Sequence, residues 1–410
     1  MTWLNSPMRS IAPPNPAAFS FASDQQVWHL SLDQIEGDTG ELSGKRYAPA
    51  SEAGTSTFCF DTGNVLYSKL RPYLNKVIVP DEPGIATTEL IPLRPNPAIL
   101  DQRFLAYYLR SSAFVNQASH HVAGAKMPRV VMDWFWEHEF PLPTPMEQGR
   151  IVELLDEADR LRRLSREASA KAERILPALF LKMFGAPSTN PKGWRKERIG
   201  ELGNVVTGRT PPTQEEGMFG GTIPFATPSD LDTDLSATQR SLTETGAQFS
   251  KVARAGSALV GCIGNIGKMR KTPVMTSFNQ QINAVEWSAK VNDDFGIAAL
   301  SFEVETMKAL ATFTTLPILN KSSFASISVI VPPDSLQKEF SRLAEQLNKS
   351  LVPIRRMRSD LNQLFSVLLS TAFSGQLTAQ WREAHMKELL AEMEVQARQL
   401  KLPTPQEAAV

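Results

Sequence analysis

Cysteine, histidine and long apolar runs are all scarce in this chain of 410 residues. Its two cysteines, Cys59 and Cys262, lie far apart, so they form neither a disulfide framework nor a paired metal-binding motif. The five histidines show no spacing that is typical of a metal site. No apolar run reaches the roughly 18 residues that a membrane span requires. These absences predict a globular cytoplasmic protein that carries no metal.

Sequence motifs for catalysis are also missing. The segment from Gly261 to Met269 is rich in glycine, but a phosphate-binding loop would need glycine where Cys262 stands and Ser or Thr where Met269 stands. No Pro-Pro pair precedes an aromatic residue, as the base-gripping motif of an adenine methyltransferase would require. The sequence also lacks a nucleophile elbow. It therefore favours binding over catalysis, with no catalytic residue and no cofactor in this chain.

Two segments carry a sustained heptad pattern of apolar residues. Every position of the second pattern is a position of the first plus 189 residues, and the same offset relates Gln148 to Gln337 and Phe184 to Phe373. A constant offset of this kind indicates an internal duplication. The patterns predict that each segment is a long helix packed against a partner. The predicted packing residues are Ile151, Leu154, Leu161, Ile175 and Leu179 in the first helix and Phe340, Leu343, Leu347, Ile354, Leu361, Leu364 and Leu368 in the second.

Proline marks both long helices. A proline-bearing segment precedes each one, as expected at a helix start. Pro177 and Pro353 lie inside the periodic stretches and predict a kink or a short break in each helix. The first helix, from Met146 to Phe184, would be roughly 58 Å long at about 1.5 Å per residue. Its stripe contains several small residues, which favours close pairing of the two helices within one chain; packing of each helix on its own domain is the alternative.

The regions outside the helices are rich in glycine, proline, threonine and short β-prone runs, so we expect mixed domains with many strands and loops. Two weak echoes relate them: Trp28–Ile35 with Trp194–Leu202, and Leu66–Leu70 with Leu259–Ile263. The N-terminus has no signal-peptide pattern and is interpreted as a loose arm. The predicted order is an N-terminal arm (1–23), a first mixed domain (24–140), a central helix (141–185), a second mixed domain (186–330), a second long helix (331–378) and a C-terminal helical tail (379–410).

Polar clusters provide the only hint of a ligand. Lys plus Arg and Asp plus Glu number 43 each, so the net charge neither favours nor excludes nucleic acid, which responds to local patches. Cations can neutralise phosphates, and Asn and Gln can pair with adenine. The alternative is a solvated loop beside a strand. The DNA-binding candidates are Lys69, Arg71, Tyr73, Asn75, Lys76, Lys126, Arg209, Lys268, Arg270, Lys271, Asn279, Gln280, Gln281 and Lys321.

These features together resemble one known family, the specificity (S) subunits of type I restriction–modification enzymes. The resemblance covers nearly the whole chain, from about Trp28 to Thr378, and depends on the order, duplication and spacing of its motifs. The matching segments are 66–76 in the first half, 264–268 and 279–282 in the second half, the proline-rich helix starts with Gln148 and Gln337, and the helix end at 372–378.

The resemblance implies an α+β fold in which two mixed α/β target-recognition domains are joined by two long antiparallel helices that form an intramolecular coiled coil. Each domain would read one half of a bipartite, asymmetric DNA site, and the helices would act as a spacer. The implied partners are double-stranded DNA, two methyltransferase (M) subunits and, where cleavage occurs, restriction (R) subunits. S-adenosylmethionine, and ATP and Mg if restriction occurs, would belong to those partners. One departure is Leu336, which stands before Gln337 where the first helix has Glu147.

Two other interpretations remain open. The chain could read DNA for a methylation-only or other phage-defence complex, a difference that depends on the partner subunits. It could also be an adaptor whose coiled coil bridges proteins without touching DNA. The adaptor would show no salt-dependent DNA binding, whereas a DNA-reading subunit would bind DNA with an affinity that falls steeply with salt.

Overall fold

The computed structural model describes residues 3–233, 235–313 and 316–402. Contacts within the chain divide it into two units. Unit 1 comprises the described parts of Met1–Ser165 and Arg358–Val410, and unit 2 comprises those of Arg166–Met357. The divisions fall inside the two long helices, so each unit combines a globular domain with the adjoining part of both helices.

Unit 1 begins with eleven short strands and four short helices. The strands are β1 (Leu4–Pro7), β2 (Gln26–Leu30), β3 (Arg46–Pro49), β4 (Thr57–Phe60), β5 (Val65–Ser68), β6 (Val77–Ile78), β7 (Gly84–Thr87), β8 (Leu90–Leu93), β9 (Val122–Ala123), β10 (Arg129–Val130) and β11 (Glu139–Leu142). The helices are α1 (Met8–Ile11), α2 (Gln102–Arg110), α3 (Ser112–His120) and α4 (Met132–Glu137).

The long helices and the globular part of unit 2 follow. The first long helix consists of α5 (Pro145–Glu173) and α6 (Ile175–Phe184). The strands of unit 2 are β12 (Arg195–Arg198), β13 (Gly203–Thr207), β14 (Phe219–Ala226), β15 (Arg240–Leu242), β16 (Lys251–Ala253), β17 (Ala258–Gly261), β18 (Met269–Lys271), β19 (Thr276–Phe278), β20 (Ile282–Trp287), β21 (Thr312–Phe313), β22 (Pro317–Ile318) and β23 (Ser328–Val331). Its helices are α7 (Ile199–Leu202), α8 (Glu244–Gln248), α9 (Asp293–Ser301), α10 (Val304–Ala309) and α11 (Lys321–Ser326). The chain continues with α12 (Asp334–Phe373), α13 (Ala379–Ala384) and α14 (Met386–Leu400).

Both globular domains follow the same strand plan. Unit 1 has a sheet in the order β3-β2-β7-β4 and unit 2 has one in the order β15-β14-β19-β16. In each, the central pair is parallel and its neighbours are antiparallel. A second antiparallel sheet has the order β6-β5-β8 in unit 1 and β18-β17-β20-β13 in unit 2. The duplication predicted from the helices therefore extends through the globular domains.

The N-terminal segment is integrated in unit 1, so the prediction of a loose arm was wrong for residues 4–12. Strand β1 pairs with β11, Leu4 opposite Leu142, and Met8 and Ile11 are fully buried in the core. In unit 2, β12 pairs with β23 in the same arrangement. A four-residue strand in a proline- and alanine-rich stretch carries too little periodicity to be recognised from sequence.

This arrangement also corrects one of the two sequence echoes. Trp28 lies within β2, whose counterpart is β14, whereas Trp194 directly precedes β12, the counterpart of β1. Trp194 therefore corresponds to Trp3. The other echo is confirmed, because Leu66 and Leu259 lie in β5 and β17, strands with the same place in their sheets.

The predicted effect of the two prolines holds for the first helix. Arg174 separates α5 from α6, three residues before Pro177. The first long helix is therefore broken close to the point where Pro177 lacks the backbone N–H that would continue the helical hydrogen bonds. The second helix, α12, continues without a break through Pro353, which leaves a kink as the predicted effect there.

The buried stripe of both helices lies in a different register from the predicted one. Ile151 and Phe340 are buried as expected, and Leu154, Leu179, Leu343, Leu347, Ile354, Leu361 and Leu368 are half-buried. Leu161, Ile175 and Leu364 are 40%, 49% and 50% exposed, so the prediction was wrong for them. Several positions of the stripe are shifted by one residue, to Leu155, Ser169 and Phe180 in the first helix and to Ala344, Leu351, Phe365 and Leu369 in the second. A 3.5-residue repeat is compatible with either register, so sequence alone could not choose between them.

Within each unit the two helix segments run antiparallel. In unit 1, Glu147 at the start of α5 hydrogen-bonds Thr378 beyond the end of α12, whereas Arg162, further along α5, reaches back to Asn362. The Arg162 guanidinium also lies 4.1 Å from the centre of the Phe365 ring. In unit 2, Phe180 near the end of α6 packs on Phe340 near the start of α12. The predicted intramolecular pairing is therefore confirmed.

Each long helix starts at a hydrogen-bonded junction with its own globular domain, and the two junctions have the same bonds. Gln148 donates to the carbonyls of Ile99 and Pro143 and accepts from the backbone N–H of Asp101, which caps α2. Gln337 makes the same three bonds, to the carbonyls of Lys290 and Pro332 and from the N–H of Asn292, which caps α9. Each buried glutamine therefore fixes the start of a long helix on its own globular domain.

The residue before each glutamine differs. Glu147 is fully buried, accepts from the Trp3 indole and from Thr378, and forms an ion pair with Arg382 at 2.6 Å. Leu336 instead joins the apolar core of unit 2. The predicted helical tail explains the difference, because α13 supplies Arg382 and lies against this junction of unit 1. The described part of the tail ends at residue 402, so the predicted tail residues 403–410 lie outside the described residues.

Helix α14 closes over the same junction. Leu389, Met393 and Ala397 bury one face of it, and Gln396 donates to the two carbonyls that Gln148 already engages. None of the described helices is long and apolar enough to cross a membrane.

Candidate nucleic-acid interface

Three segments meet along one edge of unit 1, here called polar edge 1: the loop 69–76 after β5, the turn 87–89 between β7 and β8, and the hairpin 122–130. The loop lies between the other two. The N–H of Lys69 donates to the carbonyl of Glu89, and the carbonyl of Lys69 accepts from Val130. The N–H of Arg71 donates to the carbonyl of Pro128 at 2.7 Å. These backbone bonds bring Lys126, on the turn of the hairpin, to the edge that carries the predicted loop residues.

The loop residues of polar edge 1 divide into two groups. Asn75 is buried, and its amide donates to Asp38 Oδ1 at 2.9 Å and to the carbonyl of Arg110 at 3.0 Å. Lys76 Nζ donates to the carbonyl of Leu32 at 2.6 Å. Both side chains therefore hold the loop in place instead of projecting from it.

The other predicted residues of this edge remain accessible. Tyr73 is 56% exposed, Lys126 is exposed, and Lys69 and Arg71 are half-buried. None of the four side chains makes a hydrogen bond or an ion pair with another described residue. The positive charges of Lys69, Arg71 and Lys126 are therefore available to a ligand.

Two further residues of polar edge 1, Arg129 and Met127, were not predicted from any sequence pattern. Arg129 grips the Glu89 carboxylate with two nitrogens, at 2.7 and 3.0 Å. This contact lowers the pKa of Glu89 and raises the pKa of Arg129. Met127, beside Lys126, is 46% exposed. A hairpin of two-residue strands has no recognisable pattern, so only the fold brings it to the edge.

Unit 2 has the corresponding polar edge 2, formed by the loop 262–268, the turn 279–281 and the hairpin 312–318. The same backbone bonds join them: Cys262 N–H to the carbonyl of Gln281, Leu319 N–H to the carbonyl of Cys262, and Gly264 N–H to the carbonyl of Pro317. Residues 314 and 315 of this hairpin lie outside the described residues. Identical bonds place different side chains at equivalent positions, so the two edges share a scaffold but differ in surface.

The cations in the loop of polar edge 2 and in the following strand β18 are engaged by groups of the same unit. Lys268 Nζ lies 2.5 Å from Asp232 Oδ2, Arg270 donates to the carbonyl of Asp232 at 2.8 Å, and Lys271 pairs with Asp294. Lys268 corresponds to Lys76, since each lysine follows the same loop and reaches a short helical turn on the same side. These contacts tether the three residues to the same unit, and the charges of Lys268 and Lys271 are paired with carboxylates.

The amide-bearing residues of polar edge 2 also divide. Asn279 is buried and bonded to Gln281 through both side-chain atoms, so this pair shapes the turn. Gln280 is exposed and accepts from Thr210 at 2.7 Å, next to the exposed Arg209. Lys321 is exposed on α11. Arg209, Gln280 and Lys321 are therefore the predicted residues of unit 2 that a ligand could reach.

A cavity of about 330 Å³ opens beside polar edge 2. It is lined by Gly264, Asn265, Ile266, Lys268, Lys308 and Pro317. Burial raises the pKa of the neighbouring Cys262 thiol to about 11, so this thiol stays protonated near neutral pH and is a poor nucleophile. Among the described residues, no group of three or more His, Cys, Asp or Glu side chains could hold a metal ion.

Comparison with known proteins identifies the repeat. The family model of the type I restriction modification DNA specificity domain matches residues 49–174 and 191–356, one match in each half. The specificity subunit of type I restriction enzyme HindI from Haemophilus influenzae is 26% identical over 198 residues, covering 46% of this chain and 42% of that protein. That of EcoDI from Escherichia coli is 27% identical over 173 residues, 41% and 38% of the two chains. These two matches thus span less than half of either relative.

A third relative aligns over a longer stretch. The specificity subunit of type I restriction enzyme MjaIX from Methanocaldococcus jannaschii is 22% identical over 346 residues, 78% of each chain.

Solved structures show the same fold. A chain from a study of complex assembly and conformational transition in the type I R-M system has a TM-score of 0.53 at 19% identity, covering 92% of this chain and 98% of that one. The type I restriction-modification S subunit from M. genitalium has a TM-score of 0.52 at 16% identity, covering 91% and 96%. With a family match in each half and a duplicated fold shared with these structures, the chain belongs to the family of the type I restriction modification DNA specificity domain.

Proposed function

We propose that this chain is the DNA sequence-specificity subunit of a type I restriction–modification complex, and that each polar edge reads one part of a bipartite site. The duplicated edge is the observation that carries the proposal. The same backbone bonds hold loop, turn and hairpin together in both units, while the exposed side chains differ. Two equal scaffolds with unlike surfaces suit a site made of two unlike boxes. Direct reading of bases requires side chains of this kind on a fixed backbone.

The proposed role is non-catalytic, and methyl transfer and cleavage would be performed by partner subunits. Exposed apolar residues on the long helices support a docking role for these helices. In unit 1 these are Leu161, Leu164, Leu364 and Val367, and in unit 2 they are Ile175, Leu181, Val352 and Met357. Apolar side chains exposed on a helix are available to a protein partner. We assign it to two methyltransferase subunits that bring S-adenosylmethionine; restriction subunits would add ATP and Mg if the complex cleaves DNA.

Sequencing of methylated bases in cells with and without this gene tests the proposal. We expect adenine methylation at a motif of two short boxes separated by an unread gap, and its loss when the gene is deleted. A continuous motif, or unchanged methylation, would contradict it. Methylation without cleavage of unmodified DNA would assign the chain to a methylation-only complex. Absence of salt-dependent DNA binding by the assembled complex would favour the adaptor interpretation.

A further inference from the structure

Arg71 in polar edge 1 and Gly264 in polar edge 2 occupy equivalent backbone positions. Each N–H donates to a carbonyl of the adjoining hairpin, Pro128 at 2.7 Å and Pro317 at 3.0 Å. Both residues have the left-handed backbone conformation, with φ of 51° and 73°. The scaffold of the edge therefore imposes this conformation in both units, whatever side chain is present.

Glycine satisfies this position without strain, whereas arginine does not. Side chains with a Cβ atom are disfavoured in the left-handed region, and Asn is among the few that tolerate it. The loop has a second left-handed residue, and there unit 1 has Asn75 (φ 48°) and unit 2 has Gly267 (φ 86°). Only at Arg71 does the duplicated loop carry a residue that its own backbone disfavours. Backbone strain of this kind clusters at functional sites, which points to a role for the side chain.

The surroundings of Arg71 leave its guanidinium unengaged. Its Nε atom is buried without a hydrogen-bond partner, and the side chain makes no ion pair with another described residue. Glu89 is the one carboxylate in the three segments of polar edge 1, and Arg129 already grips it through two nitrogens. Turning the Arg71 guanidinium toward a ligand therefore breaks no hydrogen bond within the described chain.

The positive charge of polar edge 1 indicates an anionic ligand. Lys69 and Lys126 lie on the same three segments as Arg71, exposed or half-buried and without ion pairs among the described residues. A guanidinium presents a planar fork of donors that fits two oxygens of one phosphate. Most protein–DNA hydrogen bonds go to phosphate and sugar, where they fix the protein's register on the duplex.

We propose that Arg71 is a positioning residue that anchors one DNA phosphate in the half-site read by unit 1, and that unit 2 has no counterpart because Gly264 occupies that position. This inference rests on the proposed function. It makes the two halves unequal in mechanism: polar edge 1 holds the DNA backbone through a charged side chain, while polar edge 2 offers bare main chain beside its cavity. Base identity is then read by other side chains of polar edge 1.

The test measures DNA binding by the full chain assembled with its methyltransferase subunits, between about 50 and 200 mM salt. Arg71→Gly should weaken binding roughly tenfold to a hundredfold. The slope of log affinity against log salt should become shallower by about 0.9, the value for one phosphate contact. The loss of DNA affinity should be equal on duplexes with and without the methylated motif. The sequence of the motif that the complex methylates should not change. Arg71→Lys should keep most of the slope, because it keeps the charge.

Lys76→Met is the matched control, because it removes a cation from the same loop whose ammonium group already binds the Leu32 carbonyl. Its salt slope should stay at the wild-type value. Melting temperature checks the fold, and Arg71→Gly should match or exceed the wild type, since the same conformation in unit 2 is held by glycine.

Three results would overturn the proposal. An unchanged slope in Arg71→Gly would show that the side chain does not contact DNA. A motif that becomes degenerate at one base would make Arg71 a base reader. A large fall in melting temperature in both Arg71→Gly and Arg71→Lys would make the guanidinium a structural group. Failure of the proposed function would look different, because the wild-type complex itself would then methylate no bipartite motif.

Discussion

The starts of the two long helices show what the duplication preserves and what it allows to change. Gln148 and Gln337 make the same three backbone hydrogen bonds. The residue before each differs completely, since Glu147 is a buried ion-paired carboxylate and Leu336 joins an apolar core. Bonds that fix the backbone are retained in both units, whereas the neighbouring side chain differs with the segment that packs against it. In unit 1 that segment is the C-terminal tail.

Replacing Glu147 by the residue of the other unit should produce the largest effect. Glu147→Leu leaves Arg382, which is 13% exposed, without its carboxylate partner. Removing one partner of a buried pair typically destabilises by about 3–5 kcal/mol. We expect a loss of this size in the chemical unfolding of unit 1, with unit 2 unaffected. Combining it with Arg382→Leu should restore much of the stability, and no recovery in the double variant would show that the pair is not the cause.

The paired glutamines provide the next test. Gln337→Ala leaves the Asn292 N–H and two carbonyls without partners, at a cost of about 1–3 kcal/mol. Gln148→Ala should cost less, because Gln396 from the tail still donates to the same two carbonyls in unit 1. Chemical unfolding of the two units would measure both losses. Equal losses of stability in the two units would show that the tail gives no compensation.

The equivalent lysines of the two loops should differ by a smaller amount. Lys76→Met removes a donor to the Leu32 carbonyl and should cost about 1 kcal/mol. Lys268→Met breaks a pair with Asp232, whose side chain is 71% exposed, so solvent should reduce the loss to well under 1 kcal/mol. Thermal unfolding of both variants measures the difference. A larger loss for Lys268→Met would mean that the ion pair, and not the carbonyl contact, is the stronger tether.

The smallest expected difference depends on pH. His138, whose counterpart in unit 2 is the buried Ile327, accepts or donates a hydrogen bond with the Tyr108 hydroxyl at 2.7 Å. Burial lowers the pKa of His138, and nearby His121 lowers it further. The unfolded chain therefore binds this proton more readily, so the contribution of His138 to the stability of unit 1 is lost as pH falls below about 6.5. Hydrogen exchange from pH 7 to 5 should show this in unit 1, and His138→Phe should reduce it. Equal acid sensitivity in the variant would assign the effect to other groups.

The sequence predicted those structural features that follow from its long repeats. The 189-residue offset required only that two helices preserve their pattern, and both helices and their pairing were predicted from that pattern. The match of β5 with β17 came from a separate, weaker echo, Leu66–Leu70 with Leu259–Ile263. The sequence could not predict features that change with a one-residue shift in helix register, or secondary-structure elements of only a few residues. The heptad did not distinguish Leu154 from Leu155, and the four-residue strand β1 left no periodicity behind.

The candidate site was predicted only in part for a related reason. The loop 69–76 is recognisably polar, but which side chains face outward depends on distant partners. Asn75 is held by Asp38 and Arg110, and no local pattern reveals that contact. Charge balance across the fold had the same effect in unit 2, where Asp232 and Asp294 engage the cations that looked available in sequence.

The division of the chain into units has a consequence for its synthesis. Unit 2 is one continuous stretch, Arg166–Met357, whereas unit 1 needs segments from both sides of it. Domains generally fold as units while the chain emerges from the ribosome. Unit 2 can therefore reach its final state first, while the first 165 residues wait for the end of α12 and for the tail that brings Arg382 to Glu147. A stalled or shortened product would carry a finished second domain beside an unfinished first one.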